Sequence, residues 1–264
     1  MKSGCPLCLS DEIKAYFGDI MKCHQCGLMF SIVKSFDPAI LYNEEYFKGR
    51  AYRDYIKEEV TRTKLFWDKF NLIKKYLPQR GKILDVGCGA GFFLKLMAKM
   101  GYESYGVEIS EYASSYAQKL LGLDVFRGHL IEAGFPDNFF DLITMWDVLE
   151  HLPNPLDVLT ECRRIMRDGA VLVVETLNVD SVLVKILRRS WPLFAPPYHI
   201  IYYNTCTLTT LLERCGFKTM ETIPMQTYVK TLYGFKPLRY FRYSILRKTI
   251  GKFLDDVILV VSRR

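Results

Sequence analysis

Three glycines in five residues, Gly87-Cys88-Gly89-Ala90-Gly91, follow directly on the apolar run Lys82–Val86 and lead into Phe92–Met100, a helical pattern stopped by Gly101. A strand turning this tightly into a helix commits the chain to an α/β layout, because such a turn brings backbone close to a ligand and aims helix N-terminal amides at it. The residues that follow keep the rhythm. Ser104–Glu108 reads as strand and Glu111–Leu121 as helix; Asp124–Arg127 and Asp141–Trp146 read as strands, Leu156–Arg167 as helix and Ala170–Thr176 as strand. Thr207–Cys215 then looks helical, and Phe217–Ile223 and Val257–Ser262 look like strands. The expected fold is therefore a doubly wound, mostly parallel seven-stranded sheet with helices on both faces. Ahead of it, Ile56, Val60, Thr63, Trp67, Phe70 and Leu77 recur at helical steps until Pro78 and Gly81.

The glycine spacing alone does not identify the guest, since dinucleotide sites look similar. The acidic residues narrow it. Asp85 sits at the strand end, where a carboxylate would repel a pyrophosphate but suit a guest carrying an ammonium or sulfonium. The order is Gly-x-Gly-x-Gly, without the last glycine of a dinucleotide fingerprint. Glu108 ends the next strand, positioned to accept two ribose hydroxyls; the alternative is a solvated strand end.

In succession, Asp85–Gly91, Gly106-Val107-Glu108-Ile109-Ser110, Phe140-Asp141-Leu142-Ile143 and Trp146-Asp147-Val148-Leu149-Glu150-His151-Leu152 resemble the ordered motifs of class I S-adenosylmethionine-dependent methyltransferases, in particular the ubiquinone-biosynthesis group. The resemblance implies a Rossmann-like fold and S-adenosylmethionine as cofactor. At matching positions it implies contacts from Asp85, Gly87, Cys88, Gly89, Gly91, Glu108, Ile109, Leu130, Trp146 and Asp147. His129 stands where many members carry Asp beside the adenine, which leaves that hydrogen bond to another group, such as a backbone amide. Tyr42, Tyr46 and Tyr52 belong to a segment that in similar proteins lies over the cofactor as a lid; simple packing of the linker is the competing reading. His199, in Pro196-Pro197-Tyr198-His199-Ile200-Ile201-Tyr202-Tyr203, is the candidate general base for a hydroxyl acceptor, against a structural loop histidine. His151 follows Glu150 in an element that binds a divalent cation in some relatives and no metal in many others.

At the other end, Cys5-Pro6-Leu7-Cys8 and Cys23-His24-Gln25-Cys26 are two C-x2-C pairs, the ligand pattern of a closed four-cysteine zinc site. With no open position, such a zinc is structural; a redox pair or cluster site is the alternative. Cys88, Cys162, Cys206 and Cys215 read as ordinary thiols. The expected organisation is a ribbon over 1–30, a linker and helical lid over 31–80, and a cofactor-binding domain over 81–264 with acceptor-side insertions at 178–204 and 224–255.

The net charge of +7 is concentrated late: Lys236 to Arg264 holds eight Lys/Arg and two Asp. A nucleic-acid enzyme would more often spread its positive charge over the active face. The basic amphipathic stretch Lys236–Phe253 and the similar Leu183–Phe194 read as helices packed on the sheet edge, or as a contact with anionic lipid. No run is apolar enough for a signal peptide or a spanning helix, so the expected location is cytoplasmic, with a peripheral place on the inner face of the membrane as an extension. The expected reaction is methyl transfer to a small-molecule, glycan or lipid-linked acceptor, at a hydroxyl. The competing readings are an RNA or tRNA methyltransferase gripping its substrate with the ribbon, and an inactive binding module.

Overall fold

A computed structural model describes residues 4–32, 38–225 and 257–264. Its first elements are three short strands, β1 (Ile13–Phe17), β2 (Ile20–Cys23) and β3 (Met29–Ser31), then a single turn, α1 (Pro38–Leu41), and the helix α2 (Glu59–Ile73). Alternation begins at β4 (Lys82–Val86), α3 (Phe92–Lys99), β5 (Glu103–Glu108), α4 (Glu111–Lys119) and β6 (Asp124–Arg127). It continues through β7 (Phe140–Trp146), α5 (Pro155–Ile165), β8 (Met166–Leu177) and α6 (Val182–Leu187). The last described elements are β9 (Ile201–Tyr202), α7 (Thr205–Arg214), β10 (Lys218–Met225) and β11 (Val257–Arg263).

Seven strands form the main sheet in the order β10-β11-β8-β7-β4-β5-β6. Neighbours from β8 to β6 pair in parallel, while β11 runs antiparallel to both β8 and β10. The strand order reverses at β4, next to β7. That is the position where open α/β sheets place their ligands, outside the carboxyl ends of the strands. The sequence explains the local stops. Ser110 caps α4 by accepting from the Ala113 amide, and Pro155 opens α5 where its missing N–H costs nothing. Asn204 and Thr207 cap α7 reciprocally, at 2.8 and 2.9 Å.

Two apolar layers clamp the sheet. Leu84, Val86, Ile143, Met145, Leu172 and Val174 face α5 and α7, and Ile83, Leu142, Val171 and Val173 face α2 and α3. The helical pattern ahead of the sheet needs correction in its phase and length. Residues 51–58 form no helix; Val60 is 83% exposed and Trp67 41% exposed, and the buried face of α2 is Lys69, Phe70 and Ile73. Burial against α3 and the strand ends decides which stripe turns inward, and it selects the one containing a lysine.

The ribbon does not sit apart. Its β1-β2-β3 hairpins gain a fourth strand from β9, Met29 opposite Tyr202 and Phe30 opposite Ile201. Of the segment Leu183–Phe194, Val184, Trp191 and Leu193 are buried, whereas Lys185, Ile186, Arg188 and Arg189 are exposed. The stretch Lys236–Phe253 and most of the expected 224–255 insertion lie outside the described residues. No helix among the described residues is long and apolar enough to cross a membrane.

Candidate active site at the strand ends

The turn after β4 is built around Glu108. Its Oε2 accepts from the Gly89 amide at 2.8 Å and its Oε1 from the Ser110 amide at 2.7 Å, so one carboxylate ties the glycine turn to the start of α4. Burial raises its pKa, with these amide bonds opposing. Gly87 and Cys88 add amide bonds to the Val107 carbonyl. All three glycines of the turn have positive φ, and two of them show why no side chain fits. Gly91 has φ +79° and a Cβ there would lie 2.5 Å from Leu123 Cδ1; Gly89 has φ +55° and a Cβ would approach the Tyr55 hydroxyl at 3.0 Å. Ile109 is half-buried between Glu108 and the Ser110 cap.

Asp85 lies in the sheet beneath this turn rather than on its surface. It is 1% exposed, and its Oδ1 accepts from Thr144 Oγ1 at 2.6 Å. Burial pushes its carboxyl up to about 8, against the Thr144 bond and the Lys69 charge. Lys69, from α2, is itself buried and pairs with Glu175 of β8 at 2.6 Å, with its ammonium 4.9 Å from the Trp146 ring. The cation facing these strand-end acids is thus one of the chain's own.

An aromatic layer covers the turn. Tyr42, Tyr46, Phe47, Tyr52 and Tyr55 pack edge to edge, and Tyr55 stacks on Phe92 with centroids 5.6 Å apart. Arg62 lies 3.8 Å from the Tyr55 ring centroid and 4.5 Å from that of Tyr52. Tyr55 and Arg62 were not singled out by sequence reasoning. Arg62 falls off the apolar stripe of its helix, and Tyr55 is one tyrosine among many nearby. Toward β6, Leu130 is buried, but His129 is exposed at the head of a short turn and its amide donates to Glu132 Oε2 at 2.9 Å.

On the opposite flank, the ends of β7 and β8 meet the segment before β9. Ligand atoms of Glu150, His151 and His199 all lie within 4.8 Å of one another. His151 Nδ1 is 2.7 Å from the Tyr198 carbonyl and His199 Nδ1 is 2.8 Å from the Leu193 carbonyl. A carbonyl only accepts, so both rings carry their hydrogen on Nδ1, and both Nε2 atoms keep a lone pair. Burial disfavours the charged rings, lowering His151 to about 4 and His199 to about 3; the neighbouring His151 adds to the effect on His199. Glu150 is fully buried; Thr176 donates to its Oε2, while Oε1 has no partner. Asp147, at φ +56°, also ends in a buried oxygen without a partner, and the Trp146 indole N–H is likewise unpaired. Strained backbone and orphaned polar atoms concentrated at strand ends are features of ligand sites.

The four N-terminal cysteines converge as well. All sulfurs lie within 4.8 Å, with Cys5–Cys26 and Cys8–Cys23 at 3.5 Å. These separations exceed the ~2.05 Å of a disulfide. They are close to the ~3.8 Å edge of a tetrahedron with metal–sulfur bonds of about 2.3 Å.

Against known proteins, the family described as "Methyltransferase domain" matches residues 52–222. A probable S-adenosylmethionine-dependent methyltransferase of Mycolicibacterium smegmatis is 30% identical over 142 residues, 53% of each chain. A ubiquinone biosynthesis O-methyltransferase of Thiobacillus denitrificans is 33% identical over 165 residues, 54% of this chain and 67% of that one. The chain thus spans about half to two thirds of these curated relatives. Among solved structures, an S-adenosylmethionine-dependent methyltransferase from Archaeoglobus fulgidus superposes with TM-score 0.60 at 23% identity, over 80% of this chain and 99% of that one.

Proposed function

Because the chain belongs to the methyltransferase-domain family, with relatives named for S-adenosylmethionine, we propose that it carries the cofactor's methyl group to a hydroxyl of a small-molecule or glycan acceptor. The observation that carries the acceptor side is the meeting of Glu150, His151 and His199 beside the glycine turn, with both Nε2 lone pairs available.

The bound cofactor supplies a methyl carbon already activated by positive sulfur; the chain's task is alignment and proton handling, and alignment alone is worth roughly 7–11 kcal/mol in favourable cases. Glu108 would receive the ribose hydroxyls, and the turn from Gly87 to Gly91 would lie against the methionine part, which Trp146 and Asp147 line. Tyr46 and Tyr52 close over the cofactor and exclude water, with Tyr55 and Arg62 in the same layer. His199 takes the acceptor's proton at Nε2, while its Nδ1–H stays on Leu193 and fixes the ring.

A ring held near 3 keeps its lone pair at neutral pH but holds a proton weakly. That observation favours a second reading of the same cluster. Two imidazoles anchored through Nδ1 to carbonyls, beside a buried carboxylate oxygen with no partner, are the donor set of a divalent cation. Such a cation would acidify the acceptor hydroxyl. The four cysteines are proposed to hold a structural zinc.

Radiolabelled S-adenosylmethionine incubated with small-molecule, polysaccharide, lipid and RNA fractions tests the reading. Label in a glycan or small-molecule fraction, lost in His199→Ala, supports it. Label in RNA replaces it with nucleic-acid methylation, and no label in any fraction supports a binding module. Elemental analysis separates the two metal outcomes: two metal ions per chain, falling to one in His199→Ala, favour the cation reading. The basic run from Lys236 supports a contact with anionic lipid at the membrane's inner face, checked by flotation with vesicles containing phosphatidylglycerol.

A further inference from the structure

The segment that carries His199 is held from the ribbon side. Ser31, the last residue of β3, donates its amide to the Ile200 carbonyl at 2.8 Å, while the Ile200 amide donates to the Glu150 carbonyl at 2.9 Å. One residue is therefore clamped between the ribbon and the turn that bears Glu150 and His151. Beyond it, Phe30 pairs with Ile201 and Met29 with Tyr202. The Tyr202 hydroxyl returns to the His199 carbonyl at 2.7 Å.

Side chains repeat the connection. Ile20 and Met29 of the ribbon share one buried cluster with Leu177, Trp191, Leu193 and Tyr202. Leu193 is also the residue whose carbonyl receives the His199 ring N–H. Phe17 of β1 meets Phe194 edge-on at 4.9 Å. Both the ring and the backbone of His199 are thus anchored by residues packed on the ribbon.

The ribbon's own order depends on its cysteines. Cys23 ends β2, its amide bonds the Leu28 carbonyl, and the Gly27 amide bonds the Cys23 carbonyl, so the knuckle around Cys23 and Cys26 leads straight into β3. A module this small does not hold its strands by apolar burial alone and ordinarily requires a metal or disulfides.

We propose that the four-cysteine ribbon is a positioning element for the acceptor side of the site. Metal held by Cys5, Cys8, Cys23 and Cys26 fixes β3, and β3 fixes residues 199–202 by backbone pairing. This concerns how the segment is held, and it stands whether His199 moves a proton, ligates a cation or does neither.

The test uses the full chain, with S-adenosylhomocysteine as the cofactor-site probe and amide hydrogen exchange as the readout. Stripping the cysteine metal with a thiol-reactive mercurial and chelator should speed exchange of amides 198–203 at least tenfold. Exchange in β4 and β5 should not change, and the affinity for S-adenosylhomocysteine should stay within threefold. Ser31→Pro, which keeps all four cysteines but removes the donation to Ile200, should reproduce the faster exchange with the metal content intact. Unchanged protection at 198–203 after metal removal would overturn the proposal. So would equal acceleration in β4 and β5, which would make the ribbon a source of general stability. Should Ser31→Pro fail to fold, Ile20→Ala, which thins the ribbon's side of the cluster that holds Leu193 and Tyr202, supplies the second variant. It keeps the strand pairing and should shift the His199 ring resonances while those of His129 stay fixed; unmoved His199 resonances count against the proposal.

Discussion

The Tyr42 phenol lies 3.0 Å from His151 Nδ1, so the aromatic layer over the glycine turn touches the cluster of Glu150, His151 and His199 directly. The same Nδ1 faces the Tyr198 carbonyl at 2.7 Å, and its single proton is shared between two oxygens. The aromatic layer and the histidine cluster therefore share a hydrogen bond. Displacing Tyr42 would release His151 from one of its two oxygen neighbours.

Tyr42→Phe isolates that link. Losing one such bond is worth about 1 kcal/mol, so methyl incorporation into the accepting fraction should fall about fivefold. Affinity for S-adenosylhomocysteine, measured by calorimetry, should stay within threefold. A fall in affinity as large as the fall in incorporation would mean that Tyr42 serves the cofactor alone.

Glu108→Ala removes the group joining the Gly89 and Ser110 amides and leaves both donors without their acceptor. Charged hydrogen bonds contribute roughly 1.5–3 kcal/mol each, so affinity for S-adenosylhomocysteine should drop at least tenfold. Calorimetry giving a dissociation constant within threefold of the parent contradicts the assignment.

Lys69 and Glu175 are an ion pair with both partners buried. Lys69→Ala strands a buried carboxylate, which Asp147 already disfavours electrostatically, and should cost about 3–5 kcal/mol in urea unfolding. The double change Lys69→Met with Glu175→Gln should recover most of that loss. A double variant no more stable than the single one shows that packing, and not the stranded charge, sets the cost.

Asp85 titrates near 8 in the folded chain, against about 4 when unfolded. The folded state therefore binds this proton more tightly, and the stability it contributes is lost as pH rises through that window. Asp85→Asn cannot ionise. Its stability relative to the parent should climb by on the order of 1 kcal/mol per pH unit between about pH 5 and 8. Urea midpoints that differ by the same amount at both ends of this range show that Asp85 is not the titrating group.

Much of the sheet could be read in advance because each parallel strand is an apolar run bounded by its own punctuation. Lys82–Val86 and Asp124–Arg127 keep their expected bounds, and Glu108 stands where the glycine turn requires it. Three features were hidden, each for a physical reason. Lys69 occupies an inward stripe of α2 because Glu175, distant in sequence, offers it a charge, and a periodicity of apolar residues passes over a lysine. Tyr55 and Arg62 take their place from packing across the turn. The β3–β9 pairing joins segments only two and three residues long, far apart in the chain, and strands so short carry no pattern of their own.

That last pairing bears on how such a chain can be rearranged. A module whose outer strand is completed by Ile201 and Tyr202 is not a cassette that can be cut out or transplanted by itself. Severed after residue 32, it would present β3 as a bare edge, open to whatever strand it next encounters. During synthesis it must wait for about 170 further residues after β3 to be made before it is finished. Swapping it onto another methyltransferase would succeed only where the recipient brings its own match for β9.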